Sequence, residues 1–371
     1  MLQTVFSPDG MPVNIAAPFM LAGFLAAMLL AAFWIDRRWG EPPSRVHPVV
    51  WIGNYLQSAG AFAVQRPPAS AFLLGACFWS LGAAACGLLA WFIQKVALEQ
   101  FFLGVSAAKS VVDVLEGTDP GGASTIASAW LRVALLLAAL ALMAGLLKCL
   151  FSWRMLRSEV AAVEAALDES LEKGRERLSW LVSRDTSALS ASEVRESAIE
   201  SLAENLNDSV VAPIFWFVLF GLPGAAVYRF ANTADAMWGY PGVYRGNNWQ
   251  WAGKWAARAD DVLSWIPARI TAYLLSSGSR LKFGDMRKEA AKTPSPNSGW
   301  PMGAMALALG VSLRKPGVYI LNPDGRAPGA ADASTAQQIA SRAVVRLVPA
   351  AIGILFLIAA TGMASMAKIA G

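Results

Sequence analysis

Between Ser190 and Asp208 the chain carries four carboxylates at intervals of four, Glu196, Glu200, Glu204 and Asp208. On a helix that interval sets them in one row on one face. Like charges in such a row repel one another. The row is therefore either a solvated acidic face or the bed of a cationic ligand. A hard cation such as Mg²⁺ takes one or two carboxylates together with substrate phosphates, which is the chemistry this row suggests. Further carboxylates follow downstream. Asn232 and Asp235 stand three apart and share a helical face, and Arg258 precedes the pair Asp260-Asp261. An adjacent Asp pair also occurs simply as charge at a helix N-terminus. Arg258 and Arg269 suit phosphate or carboxylate recognition through a bidentate fork. Ser295-Pro296-Asn297-Ser298-Gly299 is a rigid turn whose amides can face an anion. His47 is the single histidine of the chain, so a multi-histidine zinc site is excluded. It is a candidate general base or donor, or a structural residue.

The elements that must hold these groups are read from hydropathy. The 371 residues are 56% apolar and 15% charged, with mean hydropathy +0.44. A soluble domain has about 25% charged residues. Disorder and a collagen-like fibre are excluded, and a membrane protein with a sizeable polar part is expected. Runs long enough to cross ~30 Å of hydrocarbon lie at roughly 16–35, 71–94, 129–150 and 346–366. Two more charge-free windows, 209–228 and 293–313, carry Pro and Gly and are expected to be re-entrant or partly buried. The three cysteines, Cys77, Cys86 and Cys149, lie in apolar stretches and read as buried structural thiols.

The Lys and Arg near span ends set the orientation. Loop 36–70 holds Arg37, Arg38, Arg45 and Arg66, and Lys148, Arg154 and Arg157 follow the third span. These place 36–70 and 148–345 in the cytoplasm, with the N-terminus and a 95–125 loop outside, provided that 209–228 does not cross alone. The net charge of +5 and pI near 9.2 read as this bias and not as a nucleic-acid surface. With no basic stretch ahead of the first apolar run, a cleaved signal peptide is not expected. The expected fold is an all-α polytopic membrane protein in three parts. Residues 1–150 hold three membrane helices and the 36–70 motif loop, 151–345 a cytoplasmic-facing helical region, and 346–371 a final transmembrane helix. Residues 152–180 read as one long amphipathic helix with a Glu169–Lys173 pair, and Ser190 with Glu193 as a capping box.

The phosphate-loop, dinucleotide-fingerprint and HExxH signatures are absent, so a nucleotide site must be built some other way. Taken in order, however, several short motifs form a specific set. They are Gly40-Glu41-Pro42 with His47-Pro48-Val49; Ser183-Arg184-Asp185-Thr186; Ile199-Glu200-Ser201-Leu202-Ala203-Glu204-Asn205 with Asp208; Asn232-Thr233-Ala234-Asp235 with Gly239-Tyr240; Arg258 with Asp260-Asp261 and Pro267-Ala268-Arg269; and Ser295-Pro296-Asn297. The sequence resembles the CobD/CbiB family of cobalamin biosynthesis, the adenosylcobinamide-phosphate synthases, from about residue 30 to the last span. It departs from that pattern at Ser209, where the family usually has Gly, at Ala259 and Ser264, and in a longer 95–125 stretch. No charged motif residue is lost.

The resemblance implies a ligase that uses ATP and Mg²⁺ to join adenosylcobyric acid to (R)-1-amino-2-propanol or its O-phosphate. It implies a multi-pass protein of the cell inner membrane with its site on the cytoplasmic face. Its partners would be the corrinoid, the amino alcohol and the bilayer, with homo-oligomers or other enzymes of the pathway as further candidates. On the matching positions, Glu204, Asp208, Asp235, Asp260 and Asp261 are metal-ligand candidates. Asp185, Glu200 and His47 are candidates for the base. Arg184, Arg258 and Arg269 would hold phosphates, and Asn205, Asn232, Asn297 and Tyr240 would contact substrate. A non-catalytic membrane sensor or scaffold and a corrinoid transporter are the competing classes. The first would be expected to lose the charged motifs, and the second to carry ionisable residues in its spans and an inverted repeat.

Overall fold

The computed structural model describes residues 4–6, 12–14, 16–116, 123–279 and 281–370. Helices dominate. The first half of the chain forms α1 (Ala16–Trp39), α2 (Pro48–Val64), α3 (Pro68–Leu115), α4 (Ala123–Leu150), α5 (Trp153–Glu169) and α6 (Leu171–Leu178). Then come α7 (Ala191–Leu206), a π-helical turn at Asn207–Val211, and α8 (Ala212–Trp238). The rest comprises α9 (Lys254–Leu263), α10 (Trp265–Ser276), α11 (Phe283–Ala290), α12 (Gly299–Leu309) and α13 (Ala330–Ala370). Three antiparallel two-stranded ribbons complete the described residues: β1 (Thr4–Phe6) with β2 (Pro12–Asn14), β3 (Val243–Tyr244) with β4 (Asn247–Asn248), and β5 (Leu313–Lys315) with β6 (Tyr319–Leu321). The protein is an all-α, multi-pass membrane protein.

Five helical stretches are long and apolar enough to cross a bilayer: Ala17–Trp39, Pro68–Val114, Ile126–Glu169, Ala191–Trp238 and Ala330–Gly362. The fourth does not run straight. Gly221 interrupts α8 with φ 68° and ψ −154°, and Pro223 follows. A straight helix would separate residues twenty apart by ~30 Å. Yet Arg229 Nη1 donates to Ser209 Oγ at 3.3 Å. A side chain at Gly224 would likewise collide with the carbonyl of Trp216. The chain therefore reverses at Gly221, and 209–228 is one arm and part of the other arm of a helical hairpin. Its two ends lie together at one end of the hairpin, the geometry expected of a re-entrant segment. Leu219 and Phe220 at its tip are exposed.

Such a break frees backbone groups that hydrocarbon cannot satisfy. Gln94 of α3 meets this need, its Oε1 accepting from the amide of Leu222 at 2.7 Å. A side chain at Gly221 would strike Gln94, and its positive φ suits glycine alone. The second doubtful window forms α12, eleven residues long and almost wholly buried, too short to cross.

Four sequence expectations need correction. The 95–125 loop is mostly helix: α3 continues to Leu115, and α4 packs back along it, with Leu136 against Gly104. Helix 152–180 is broken at Ser170, which is extended and caps α6 by accepting from the amide of Lys173. The Glu169–Lys173 pair forms across that break. α5 and α6 then fold together, with Arg177 on Glu159 at 2.6 Å. Third, Cys77 is exposed and Cys86 and Cys149 are half-buried, because much of an apolar helix in a bundle faces lipid and not the core. Finally, α13 begins at Ala330, well before the expected span. The capping box at Ser190 and Glu193 is present.

The ends of α1 and α4 meet. Lys148, almost wholly buried, lies 3.4 Å from Asp36 and 2.6 Å from Glu41. The Arg154 amide donates to Asp36 Oδ2 at 2.9 Å, and its guanidinium donates to the Arg37 and Arg38 carbonyls. The two basic loops used to orient the chain thus lie at one end of the bundle.

Candidate active site

The hairpin turns a linear row of carboxylates into a cluster. α7 delivers Glu200 and Glu204 down one face, and the π turn carries Asp208. A π turn widens the helix locally and is frequent at functional sites. Asn207 donates to Asp208 Oδ1 at 2.8 Å and is itself held by the buried Thr271 hydroxyl at 3.0 Å. The returning arm of α8 brings Arg229, Asn232 and Asp235 back to the same level. Asn232 accepts from Arg229 Nη1 at 3.5 Å and hydrogen-bonds to both Asp208 and Asp260. α9 supplies Asp260 and Asp261. The open mouth of the re-entrant hairpin is therefore ringed by Asp208, Asp235, Asp260 and Asp261, with Arg229 as the cation among them.

Burial raises the Asp260 carboxyl well above its ordinary value, and the charges of Asp208 and Asp235 add to the rise. Its Oδ1 is buried without a hydrogen-bond partner. Its Oδ2 accepts from Ser264 at 3.5 Å, whose hydroxyl also meets Tyr228 at 3.0 Å. Asp261 is raised by burial, against which Arg258 works. Two of the family departures thus sit in the site: Ser264 holds Asp260, and Ser209 gives Arg229 a hydroxyl acceptor that glycine would lack.

Beside this mouth lies a polar cavity of about 170 Å³ between α7, the 181–184 segment and the β5–β6 ribbon. Glu204 borders both spaces, lining the cavity and sharing an electrostatic field with Asp208 and Asp235. Arg184 Nη2 donates to Glu200 Oε2 at 3.4 Å and to Ser197. Arg184 Nη1 and Glu200 Oε1 are both buried and have no partner. Asn205 lines the cavity and donates to the Ser201 carbonyl at 2.9 Å. Lys315 and Tyr319 enter from the ribbon. The ribbon is fastened to α7 by Arg314, which forks onto Glu196 at 2.9 and 3.2 Å. Glu196, the first carboxylate of the row, is thereby an anchor and not part of the cavity.

The remaining motif residues take other places. Tyr240 stacks on Tyr244, ring centroids 3.6 Å apart, and reaches Ser183 at the edge of the cavity. Arg258 is exposed beside Asp261. Arg269 is sandwiched between Trp265 and Trp300. It donates to Asn297 Oδ1 at 2.9 Å and the Pro296 carbonyl at 3.1 Å, and Asn297 in turn donates to the Asp261 carbonyl at 2.7 Å. This chain braces α9 against the 295–297 turn. Asp185 points to solvent, and its carboxylate is held below the usual range by the Ser187 amide. His47 caps α2 by accepting from the Val49 amide at 3.2 Å, and its Nε2 lies 3.0 Å from Glu41. Both ring nitrogens are engaged. Burial pushes the Glu41 carboxyl up, but hydrogen bonds from His47 and Lys148 outweigh it and hold it below its ordinary value. Glu41 also acts on Arg229, which links the 40–47 loop to the mouth.

Sequence reasoning missed Arg229, Lys315 and Tyr319. Arg229 follows the apolar window directly, three residues before Asn232. Lys315 and Tyr319 flank Pro316-Gly317, a turn signal between two short apolar runs that marks a hairpin.

A family model described as CobD/CbiB protein matches residues 29–348. The chain belongs to the CobD/CbiB family. Every residue of the mouth and the cavity lies inside that match. Curated relatives match 78–80% of this CobD/CbiB chain. The probable cobalamin biosynthesis protein CobD of Methanothermobacter thermautotrophicus is 36% identical over 304 residues, 80% of this chain and 86% of its own length. Its namesake in Pyrococcus abyssi is 37% identical over 295 residues, covering 78% and 83%. The cobalamin biosynthesis protein CobD of Chromobacterium violaceum is 37% identical over 294 residues, covering 78% and 81%. No solved structure matches the chain. The family places it in cobalamin biosynthesis.

The mouth suits a divalent cation of a particular kind. Among the described residues no three acidic, histidine or cysteine groups enclose a metal-sized space. An all-protein cage is absent there, but Mg²⁺ is held by one or two carboxylates and takes its other ligands from phosphates and water. The orphaned Asp260 Oδ1 and the crowding of Asp208, Asp235 and Asp260 are what such an ion would relieve.

Proposed function

We propose that this chain forms an amide between the side-chain carboxylate of a corrinoid, adenosylcobyric acid, and (R)-1-amino-2-propanol or its O-phosphate, driven by ATP. The observation that carries the reading is the pairing of two spaces across Glu204. One is a carboxylate mouth with a single buried guanidinium, suited to metal-borne phosphates. The other is a small cavity with an unpartnered carboxylate oxygen, suited to an amine.

The chemistry follows from balance. The corrinoid carboxylate attacks the γ-phosphorus of ATP, ADP departs, and an acyl phosphate forms. The amine nitrogen then attacks the acyl carbon, inorganic phosphate leaves, and the nitrogen gives up its protons. Asp208 with Asp235 or Asp260 would hold Mg²⁺, which when bound would gather the phosphates and withdraw charge from them. Arg229 neutralises charge on the transferring group, as preorganised cations do. Glu200 takes the proton from the ammonium, since its Oε1 is free within the cavity. Asp185, out in solvent with a lowered pKa, is poorly placed for that task. His47 acts through Glu41 on Arg229. Arg269 and Asn297 position α9. The basic loops gathered at one end of the bundle support a cytoplasmic site on the cell inner membrane.

The test is reconstitution. Purified full-length protein receives adenosylcobyric acid labelled with ¹⁸O in its carboxylate, amino alcohol phosphate, ATP and Mg²⁺. The expected result is the amide by mass, with one ¹⁸O in released inorganic phosphate. Label in AMP would overturn the acyl-phosphate route, and absence of amide the function.

A further inference from the structure

A larger space lies away from the mouth. A groove of about 700 Å³ runs between α2, α3, the end of α4 and the returning arm of α8. It follows α3 from Phe78 to Ile93, about 22 Å at the helical rise. Leu222 and Phe230 of α8 are buried and form its floor, while Leu81 and Leu89 are exposed at its edge. The groove therefore opens to the side of the bundle. Its polar atoms are already engaged. The Tyr55 hydroxyl donates to the Phe78 carbonyl at 2.8 Å, and Trp51 Nε1 donates to the Arg45 carbonyl at 3.0 Å. The Cys86 thiol is a weak donor. A corrin, with polar side chains around its rim, or a nucleotide would bury polar groups here without partners, which is costly. Hydrocarbon suits these walls.

The strip of α3 that lines the groove lies in the charge-free run between Arg66 and Lys95, within a stretch able to cross a bilayer. One leaflet holds about 15 Å of hydrocarbon, so a groove of this length takes a whole acyl chain. Its two ends differ. Tyr55, Phe78 and Phe230 close one of them, the Tyr55 and Phe230 ring centroids lying 6.3 Å apart. The other adjoins the basic end of the bundle. Pro48 follows His47, whose ring reaches Glu41, and Leu150 stands just past Lys148, which pairs with the same Glu41. Arg37, Arg38, Arg45 and Arg154 are exposed at that end. Trp51 is exposed there too, an aromatic of the kind found at headgroup level. We propose that this groove holds one acyl chain of an anionic phospholipid, its headgroup at Arg45 and the neighbouring arginines and its chain along Leu222 and Phe230. The floor of the groove is the arm that returns Arg229, Asn232 and Asp235 to the mouth. The bound chain completes the packing of the re-entrant hairpin on α3, which makes membrane lipid a structural ligand of this protein.

The experiment uses full-length protein in mild detergent, with native mass spectrometry to count retained phospholipid. The wild type is expected to retain a single phosphatidylglycerol in preference to phosphatidylcholine. Ala85→Trp, which fills the groove from an exposed position, is expected to retain none. Arg45→Gln is expected to lose about fivefold in affinity for phosphatidylglycerol and nothing for phosphatidylcholine. Stripping the lipid should lower the melting temperature of the wild type by a few degrees, and phosphatidylglycerol should restore it, whereas Ala85→Trp should respond to neither. A second measurement needs the wild type alone: phosphatidylglycerol with a diazirine at its chain end should crosslink beside Phe78 or Phe230. Equal retention by wild type and Ala85→Trp overturns the assignment. So do crosslinks confined to the Leu88 face of α3, or displacement of the lipid by adenosylcobyric acid.

Discussion

The hydrogen bond between Gln94 and Leu222 is the most local test of the hairpin. Gln94→Met keeps the length and packing of the side chain and removes the acceptor. Leu222 is 2% exposed, so its amide loses a 2.7 Å bond and gains no water. An orphaned buried amide costs about 1–3 kcal/mol, and the upper part of that range applies beside hydrocarbon. A cost of about 2 kcal/mol multiplies the open population about thirtyfold. The assay places a cysteine at the buried Ala225 in a background without Cys77, Cys86 and Cys149, where thiol labelling reports opening. Labelling is expected to accelerate about thirtyfold in Gln94→Met, with a melting temperature a few degrees lower. Leu88→Met, on the lipid-facing side of the same helix, is expected to change neither. Equal labelling of the two variants would refute the capping role, and with it the reason given for the reversal at Gly221.

Asp260→Asn removes a buried carboxyl held near two others. Its folded pKa lies above the unfolded value, so its protonated form stabilises the fold at low pH and that stabilisation is lost as pH rises through the folded pKa. Wild type should therefore melt earlier as pH rises, Asp260→Asn less so, and the variant should be the more stable at neutral pH. Mg²⁺ should raise the melting temperature of the wild type and have a smaller effect in the variant, by about 2.7 kcal/mol of linkage at a hundredfold excess over Kd in the wild type; EDTA should reverse it. In Arg314→Met the carboxylate of Glu196, fully buried, is left unpaired. The expected loss is about 1–3 kcal/mol, less than for a fully buried pair because Arg314 is half exposed. Chemical denaturation should show most of it recovered in the double variant with Glu196→Gln. Cysteines introduced singly at Val211 and Ala231 should be labelled from the same side of sealed vesicles, and opposite sides would mean that the segment crosses.

Much of this was legible in sequence because it is local. The spans follow from runs of apolar residues, the capping box from Ser190 and Glu193, and the row Glu200, Glu204, Asp208 from a spacing of four. The double reading of 209–228 could not be resolved there, since reversal depends on Gly221 and on Gln94, which lies 128 residues from the Leu222 amide that it holds. The extension of α3 to Leu115 was hidden because Lys95, Glu99, Lys109 and Asp113 read as loop charges, whereas a helix longer than the bilayer carries charge beyond it. Ser170 lay within a helical charge pattern, and only its backbone angles reveal a cap. The acidic row itself was seen, but not that Glu196 faces Arg314 while Glu204 borders two spaces. That division is set by the β5–β6 ribbon, which no helical periodicity announces.

Glu204 is the carboxylate shared by cavity and mouth, and both halves of the proposed reaction meet at it. Purified wild type and Glu204→Gln, inserted equally in membranes, are given adenosylcobyric acid, amino alcohol phosphate, ATP and Mg²⁺, and the corrinoid product is read by mass. Amide from the wild type and none from Glu204→Gln is the predicted result; full activity in Glu204→Gln, or no amide from the wild type, would contradict it.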